Sequence, residues 1–329
     1  MINRSRRNIA LSIFTLIALI GCGSEDSTLS STTTEETDAT STASTLIVEV
    51  DPFIFESNAL ASEITTETCT LTNGDESSCY RINIAGVPAN HDIGIFCPTN
   101  ISANADEAGI WFDGNGEVFD ITGDFIVSLA ELYNDDHWQL YDEGTGKVNI
   151  TDTYASCDGA ARPNVEEQYQ NYCVECSIDY VDGGISASFL IPITPVITTS
   201  SNSVGHANVG VALNGVELAA PAPVDAILGA YTIAAFDDCA GHINLAVGYH
   251  YHGEAGCSQT QVQSDGHAAM MGYALDGFGI FGMLNADGNE PSDLDQCRGH
   301  ADDIRGYHYH AADVAENMFI GCFKGAIAR

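Results

Sequence analysis

The hydrophobic pattern divides the 329-residue chain into three stretches. Arg4, Arg6 and Arg7 precede a mainly apolar run from Ile9 to Ile20. That run is shorter than the roughly 20 residues needed to span a bilayer and has the length of a signal-peptide core. Residues 23–45, GSEDSTLSSTTTEETDATSTAST, then carry almost no apolar residues and no period. Such a tract cannot bury a core and is expected to be a disordered tether. From Leu46 onward Val, Ile, Tyr and Phe recur between turn dipeptides. No long stretch has a helical period; the best short candidate is VSLAELY, Val127–Tyr133, with Asn164–Tyr172 weaker. The pattern predicts a mainly β fold over residues 46–329.

Two stretches in the C-terminal half repeat one another. DDCAGHINLAVGYHYH and DQCRGHADDIRGYHYH share the pattern D-x-C-x-G-H-x5-G-Y-H-Y-H. It pairs Asp237 with Asp295, Cys239 with Cys297, His242 with His300, His250 with His308 and His252 with His310. Upstream, HANVGVALNGV from His206 is similar to HAAMMGYALDGF from His267, with one extra residue in the second copy. Asn214-Gly215 and Asp276-Gly277 then coincide, and both dipeptides are strong hairpin signals. Each copy therefore predicts a hairpin, a loop and a Tyr-His-Tyr-His strand, over about residues 204–257 and 266–322. Two such β-hairpin modules suggest pseudo-twofold symmetry.

The histidines carry the candidate chemistry. In a strand, alternate side chains share a face. His250 and His252 then lie on one face, with Tyr249 and Tyr251 on the other, and His242 approaches from the preceding loop. His300, His308 and His310 repeat the set. Three imidazoles suit Zn(II) or Cu(II). Asp237 and Asp295 are candidate acceptors that fix a histidine tautomer, and His91, His206, His267 and Asn214 are further candidates. Asp276 replaces Asn214 at the matched position, which makes it the candidate catalytic acid or base. One site per module and one shared site are both open. No nucleophile elbow, phosphate loop, H-E-x-x-H or dinucleotide motif occurs.

Composition narrows the setting. Ten Lys and Arg face 46 Asp and Glu, and removing the leader leaves seven cations. That field excludes nucleic acid as a partner and favours cations. The acidic stretch Asp113–Asp120 is a calcium candidate, although its spacing departs from the EF-hand pattern at Val118. Of eleven cysteines, Cys22 ends LIGC, which resembles a bacterial lipobox. The resemblance implies cleavage before Cys22 and a lipid on its sulfur; Gly23 does not signal inner-membrane retention. An exported, lipid-anchored protein at the outer membrane, facing periplasm or cell surface, is expected. Ten cysteines remain for disulfides. Cys69 and Cys79 flank the turn at Asn73-Gly74, and Cys239–Cys257 and Cys297–Cys322 would staple each module.

The motifs GVALNGV, CAGH…YHYH, HAAMMGYALDGFGIFG, LDQCRGH…YHYH and FIGCFKG resemble the bacterial YHYH domain family. INIAGVPANHDIG (Ile82–Gly94) and FLIPITP (Phe189–Pro195) are similar to its N-terminal segments. The similarity runs from Ile82 to Gly325, interrupted by an insertion at about 97–185 that holds Cys97, Cys157, Cys173 and Cys176. It implies no particular activity. Two functions are therefore expected from the residues: a metal-binding protein, with a metalloenzyme within reach, or a disulfide-stapled acidic β module for adhesion, with YHYH in its core.

Overall fold

The structure is a computed structural model that describes residues 46–161, 164–205 and 208–329. The expected leader, the tether, the lipidation residue Cys22 and the candidate His206 lie outside the described residues.

The described residues form one compact unit. It opens with the hairpin β1 (Thr65–Thr70) and β2 (Glu76–Ile84), turned at Asn73-Gly74. The insertion follows. It holds the short hairpin β3 (Ile110–Phe112) and β4 (Val118–Asp120), helices α1 (Gly123–Leu132) and α2 (Tyr154–Ala160), and β5 (Cys173–Val174). Next come β6 (Ala187–Pro192) and β7 (Ile197–Asn202). The first module supplies β8 (Asn208–Ala212), β9 (Glu217–Ala219), α3 (Val224–Leu228), β10 (Ile233–Ala234), β11 (Gly241–Asn244) and β12 (Gly248–Tyr251). The second supplies β13 (Met270–Ala274), β14 (Gly279–Phe281), β15 (Gly299–Asp302) and β16 (Gly306–His310), and β17 (Phe323–Gly325) closes the chain.

The mainly β expectation holds. The eight module strands form one sheet in the order β11-β12-β9-β8-β13-β14-β16-β15. The order reads the same from either edge, about an antiparallel β8–β13 pair at the centre. On each side an outer antiparallel hairpin meets the inner one through a parallel pairing, β12 with β9 and β16 with β14. Val211, Met270, Tyr273 and Phe281 of this sheet cluster with Ile82, Ile84, Phe189 and Ile191 of the three-stranded sheet β1-β2-β6. A separate cluster gathers Val209, Leu218, Ile280 and Phe323 around the four motif tyrosines.

Local chemistry explains the helices better than period does. Thr122 caps α1 by accepting from the Phe125 amide, and Phe125, Ile126 and Leu129 are buried on one side. The expected helix at 127–133 is therefore the second half of a helix that begins four residues earlier. The weaker candidate at 164–172 reduces to a single 3-10 turn, Glu167–Tyr169, and Asn171 takes a positive φ that no helix accepts. The insertion packs Trp111, Phe112, Ile121, Phe125 and Trp138 with Ile233 and Phe236 of the first module. The candidate calcium stretch is the β3–β4 hairpin, where Asp113 Oδ1 accepts from the Asn115 amide at 3.0 Å.

Ten cysteines pair as Cys69–Cys79, Cys97–Cys173, Cys157–Cys176, Cys239–Cys257 and Cys297–Cys322. Cys173 and Cys176, with two residues between them, reach different partners, Cys97 and Cys157. Cys239–Cys257 closes an 18-residue separation around the first YHYH strand. Replacing both by Ser is expected to cost about 3 kcal/mol by loop entropy, read as a lower denaturant midpoint. An unchanged midpoint would show that the staple does not constrain the unfolded chain.

Candidate metal centres

The motif loop is built around its aspartate. Asp237 Oδ1 accepts from the amides of Cys239 and Gly241, and Asp295 Oδ1 accepts from those of Cys297 and Gly299. Its other oxygen takes a tyrosine hydroxyl, Tyr249 at 2.8 Å and Tyr307 at 3.0 Å. His242 and His300 sit on strands β11 and β15 and not in the preceding loop, and the glycine before each is a steric requirement. A Cβ on Gly241 would lie 2.2 Å from the Tyr249 hydroxyl, and one on Gly299 would lie 2.1 Å from that of Tyr307. Asp237 and Asp295 thus serve the tyrosine face, which corrects the expectation that they fix a histidine tautomer.

Asn214 and Asp276 serve the same face. Asn214 Nδ2 donates to the Tyr251 hydroxyl at 2.9 Å, and the Tyr309 hydroxyl donates to Asp276 Oδ2 at 2.6 Å. Asp276 is fully buried, accepts further from the Gly325 and Phe278 amides, and burial pushes its carboxyl up to about 6. These bonds make it a structural partner of Tyr309; it does not face the imidazoles, and its candidacy as catalytic acid or base is withdrawn. His91 lies on this face as well, stacked on Tyr251 with Nε2 3.3 Å from the hydroxyl. His91, Cys239 and Cys257 lie close enough to hold an ion, but both sulfurs are committed to a disulfide.

The histidines occupy the opposite face. Register pairs His242 with His250 and His300 with His308 across the outer hairpins, and cross-strand partners share a face. Among the described residues, His242, His250 and His252 converge in the first module, and His267, His300, His308 and His310 in the second, with ligand atoms within 4.8 Å of one another. His242 and His250 approach at 3.0 Å, His267 and His308 at 3.0 Å, and His300 and His310 at 3.2 Å, each through Nε2. His267, only a further candidate in sequence, joins the second set. The signal for it was its place at the start of the repeat.

The other ring nitrogen decides the chemistry. Nδ1 of His250 faces the Gly248 carbonyl, and Nδ1 of His252 the Ala220 carbonyl. His308 faces Gly306, His310 Gly282 and His267 Ala268 in the same way. His300 Nδ1 meets Asp293 Oδ1 at 2.9 Å, so Asp293, and not Asp295, is the carboxylate beside this ring. Carbonyl and carboxylate oxygens only accept, so each of these Nδ1 atoms carries the proton. In neutral rings the Nε2 lone pairs of His267 and His308, and of His300 and His310, then point at one another. Burial holds His250 and His308 down at about 4, His252 and His310 at about 3, and His242 well below its ordinary value, so protons are disfavoured in the gap. A divalent cation satisfies what a proton does not. Zn–N bonds of about 2.0–2.1 Å imply N···N edges near 3.3 Å in a tetrahedral set, close to the spacings seen.

The two clusters are separate. Five strand spacings of about 4.8 Å, or roughly 24 Å, lie between β12 and β16 in the sheet. These features define a disulfide-stapled β protein with one convergent histidine cluster in each half of its main sheet, each able to hold a metal ion. Residues 188–293 match the family described as YHYH protein, so that segment is a YHYH domain. The matched part spans the first motif and the β13–β14 hairpin and stops short of the second motif. No curated protein and no solved structure matches the chain.

The lowered imidazole values fix the direction of the pH response. The unfolded chain takes up protons near 6.5 that the folded chain refuses until about 3–4. Stability of the metal-free protein should be fully present above pH 6.5 and fall as pH drops toward 4. Denaturant midpoints at pH 7.5, 5.5 and 4.5 would show it, with a shallower fall in His250→Gln/His252→Gln. Equal slopes for both proteins would contradict buried neutral rings.

Proposed function

We propose that the protein is an exported, surface-tethered lipoprotein that binds Zn(II) or Cu(II) at one histidine cluster per module. His242, His250 and His252 are the ligands in the first, and His267, His300, His308 and His310 in the second. The observation that carries this reading is the facing of Nε2 lone pairs whose rings are locked by Nδ1 bonds to acceptor-only oxygens. A core motif without an ion would turn at least one of these nitrogens into a donor. The adhesion-module alternative accounts for the tyrosine half of the motif but leaves the histidine half unexplained. An ion so held supplies Lewis-acid chemistry, or redox chemistry if it is copper.

Five disulfides suit an oxidising, non-cytoplasmic compartment. No helix among the described residues is long and apolar enough to cross a membrane. Membrane attachment is assigned to a lipid on Cys22, and the acidic surface makes nucleic acid an unsuitable partner.

Elemental analysis of untagged protein is expected to find close to two equivalents of Zn or Cu, falling to one in His250→Gln/His252→Gln and in His308→Gln/His310→Gln. Less than a tenth of an equivalent, with no tight uptake on titration, would end the proposal. Cys22→Ser should move the protein from the detergent phase to the aqueous phase in phase partitioning. Retention in the detergent phase would remove the lipid anchor.

A further inference from the structure

One disulfide lies outside the protein's core. In each of the other four pairs at least one cysteine is almost wholly enclosed: Cys79, Cys157 and Cys173 are 0% exposed and Cys297 is 1% exposed. Cys239 and Cys257 are both only half-buried. Thiol–disulfide exchange needs access to a sulfur, so a reductant in solution meets this pair first.

A histidine stands beside the pair. One ring nitrogen of His91 and the two sulfurs lie within 4.8 Å of one another. His91 Nδ1 donates to Asn90 Oδ1 at 2.9 Å, and that oxygen also accepts from Asn214 Nδ2 at 3.0 Å. Asn90 Nδ2 in turn donates to the Cys257 carbonyl at 2.9 Å. Asn90 thus ties the ring to the backbone of a residue whose sulfur it stands beside. Nε2 is left as the ring's acceptor, with the Tyr251 hydroxyl 3.3 Å away. Asp92 and Asp238, the exposed neighbours of His91 and Cys239 in sequence, add negative potential that favours a cation. No residue of the two histidine clusters takes part.

We propose that Cys239, Cys257 and His91 form a redox-gated zinc site, closed while the disulfide is intact and opened by a thiol reductant. A dithiol attacks one sulfur, passes through a mixed disulfide and leaves as its own disulfide. Its two electrons and two protons remain on Cys239 and Cys257 as thiols. Zn(II) then binds both thiolates, and their two protons pass to water. Zn–S bonds of about 2.3 Å set two sulfurs roughly 3.8 Å apart in a tetrahedron. The two Cα atoms are 5.5 Å apart, so side-chain rotation reaches that spacing. Thiolate and imidazole are the ligands zinc prefers, and two thiolates balance its charge. The ion restores the cross-link that reduction removed. This site stands whether or not the histidine clusters hold ions.

The test treats full-length protein with a water-soluble phosphine until its mass after alkylation shows one open disulfide. Peptide mapping should place both alkyl groups on Cys239 and Cys257. Cobalt(II), the probe for zinc, is then added to a parallel sample without alkylation. It should give an intense near-ultraviolet sulfur-to-cobalt band that is absent before reduction and lost when Zn(II) is added. Cobalt held by imidazole gives no such band, so the histidine clusters do not contribute. His91→Gln should open at the same pair and bind cobalt there about tenfold more weakly or worse, since losing even an outer partner of a metal ligand costs that much. The wild-type band decides by itself whether the opened pair holds an ion. Alkyl groups on another pair, a reduced protein without the band, or undiminished affinity in His91→Gln would each overturn the proposal.

Discussion

A β-strand offers side chains only two directions, and the YHYH strand uses both. Its odd positions point tyrosines into the apolar cluster with Leu218, Ile280 and Phe323, and its even positions point histidines at each other. Everything around the motif serves that division. The loop aspartate takes the first tyrosine hydroxyl and pins the loop amides, the hairpin residue Asn214 or Asp276 engages the second hydroxyl, and glycine makes room for the ring. Held from behind in this way, the strand has no freedom to rotate its histidines out of line. The hydrophobic core and the candidate centres are thus two sides of one strand.

Much of this was legible in the residues because it depends on short spacings. Period two assigns the faces of Tyr249 through His252, and a fixed five-residue interval brings His242 opposite His250. Cysteines that flank one strand or turn could be paired by proximity. What was hidden depends on contacts between distant segments. Spacing alone cannot tell that Asp237 turns toward tyrosine, since either neighbour is in reach of a loop carboxylate. Asp293 sits outside the matched pattern, where the first module has Ala235, so no repeat pointed to it. Asp276 looked like an acid waiting for a substrate because its divergence from Asn214 was visible and its burial against Tyr309 was not.

The two halves of the main sheet share their scaffold and differ in their surroundings. Strand order, register, disulfide placement and tyrosine partners agree between them. The insertion packs against the first half through Phe236, which lies with its ring 4.8 Å from that of His242. In the second half Phe281 packs against His267, and Arg305 lies over the Phe281 ring.

The mirrored strand order places β11 and β15 at the two ends of the sheet. Each end strand is joined to its neighbour by the same histidine pair that would grip an ion. An ion there acts as a rivet through the hem of the sheet, fastening the ribbon most prone to fray. Without the rivet, each hem would present unpaired backbone that another copy of the chain can add to. Starvation for metal would then be felt first as clumping at the margins of an otherwise intact molecule, long before its tyrosine-lined interior gives way.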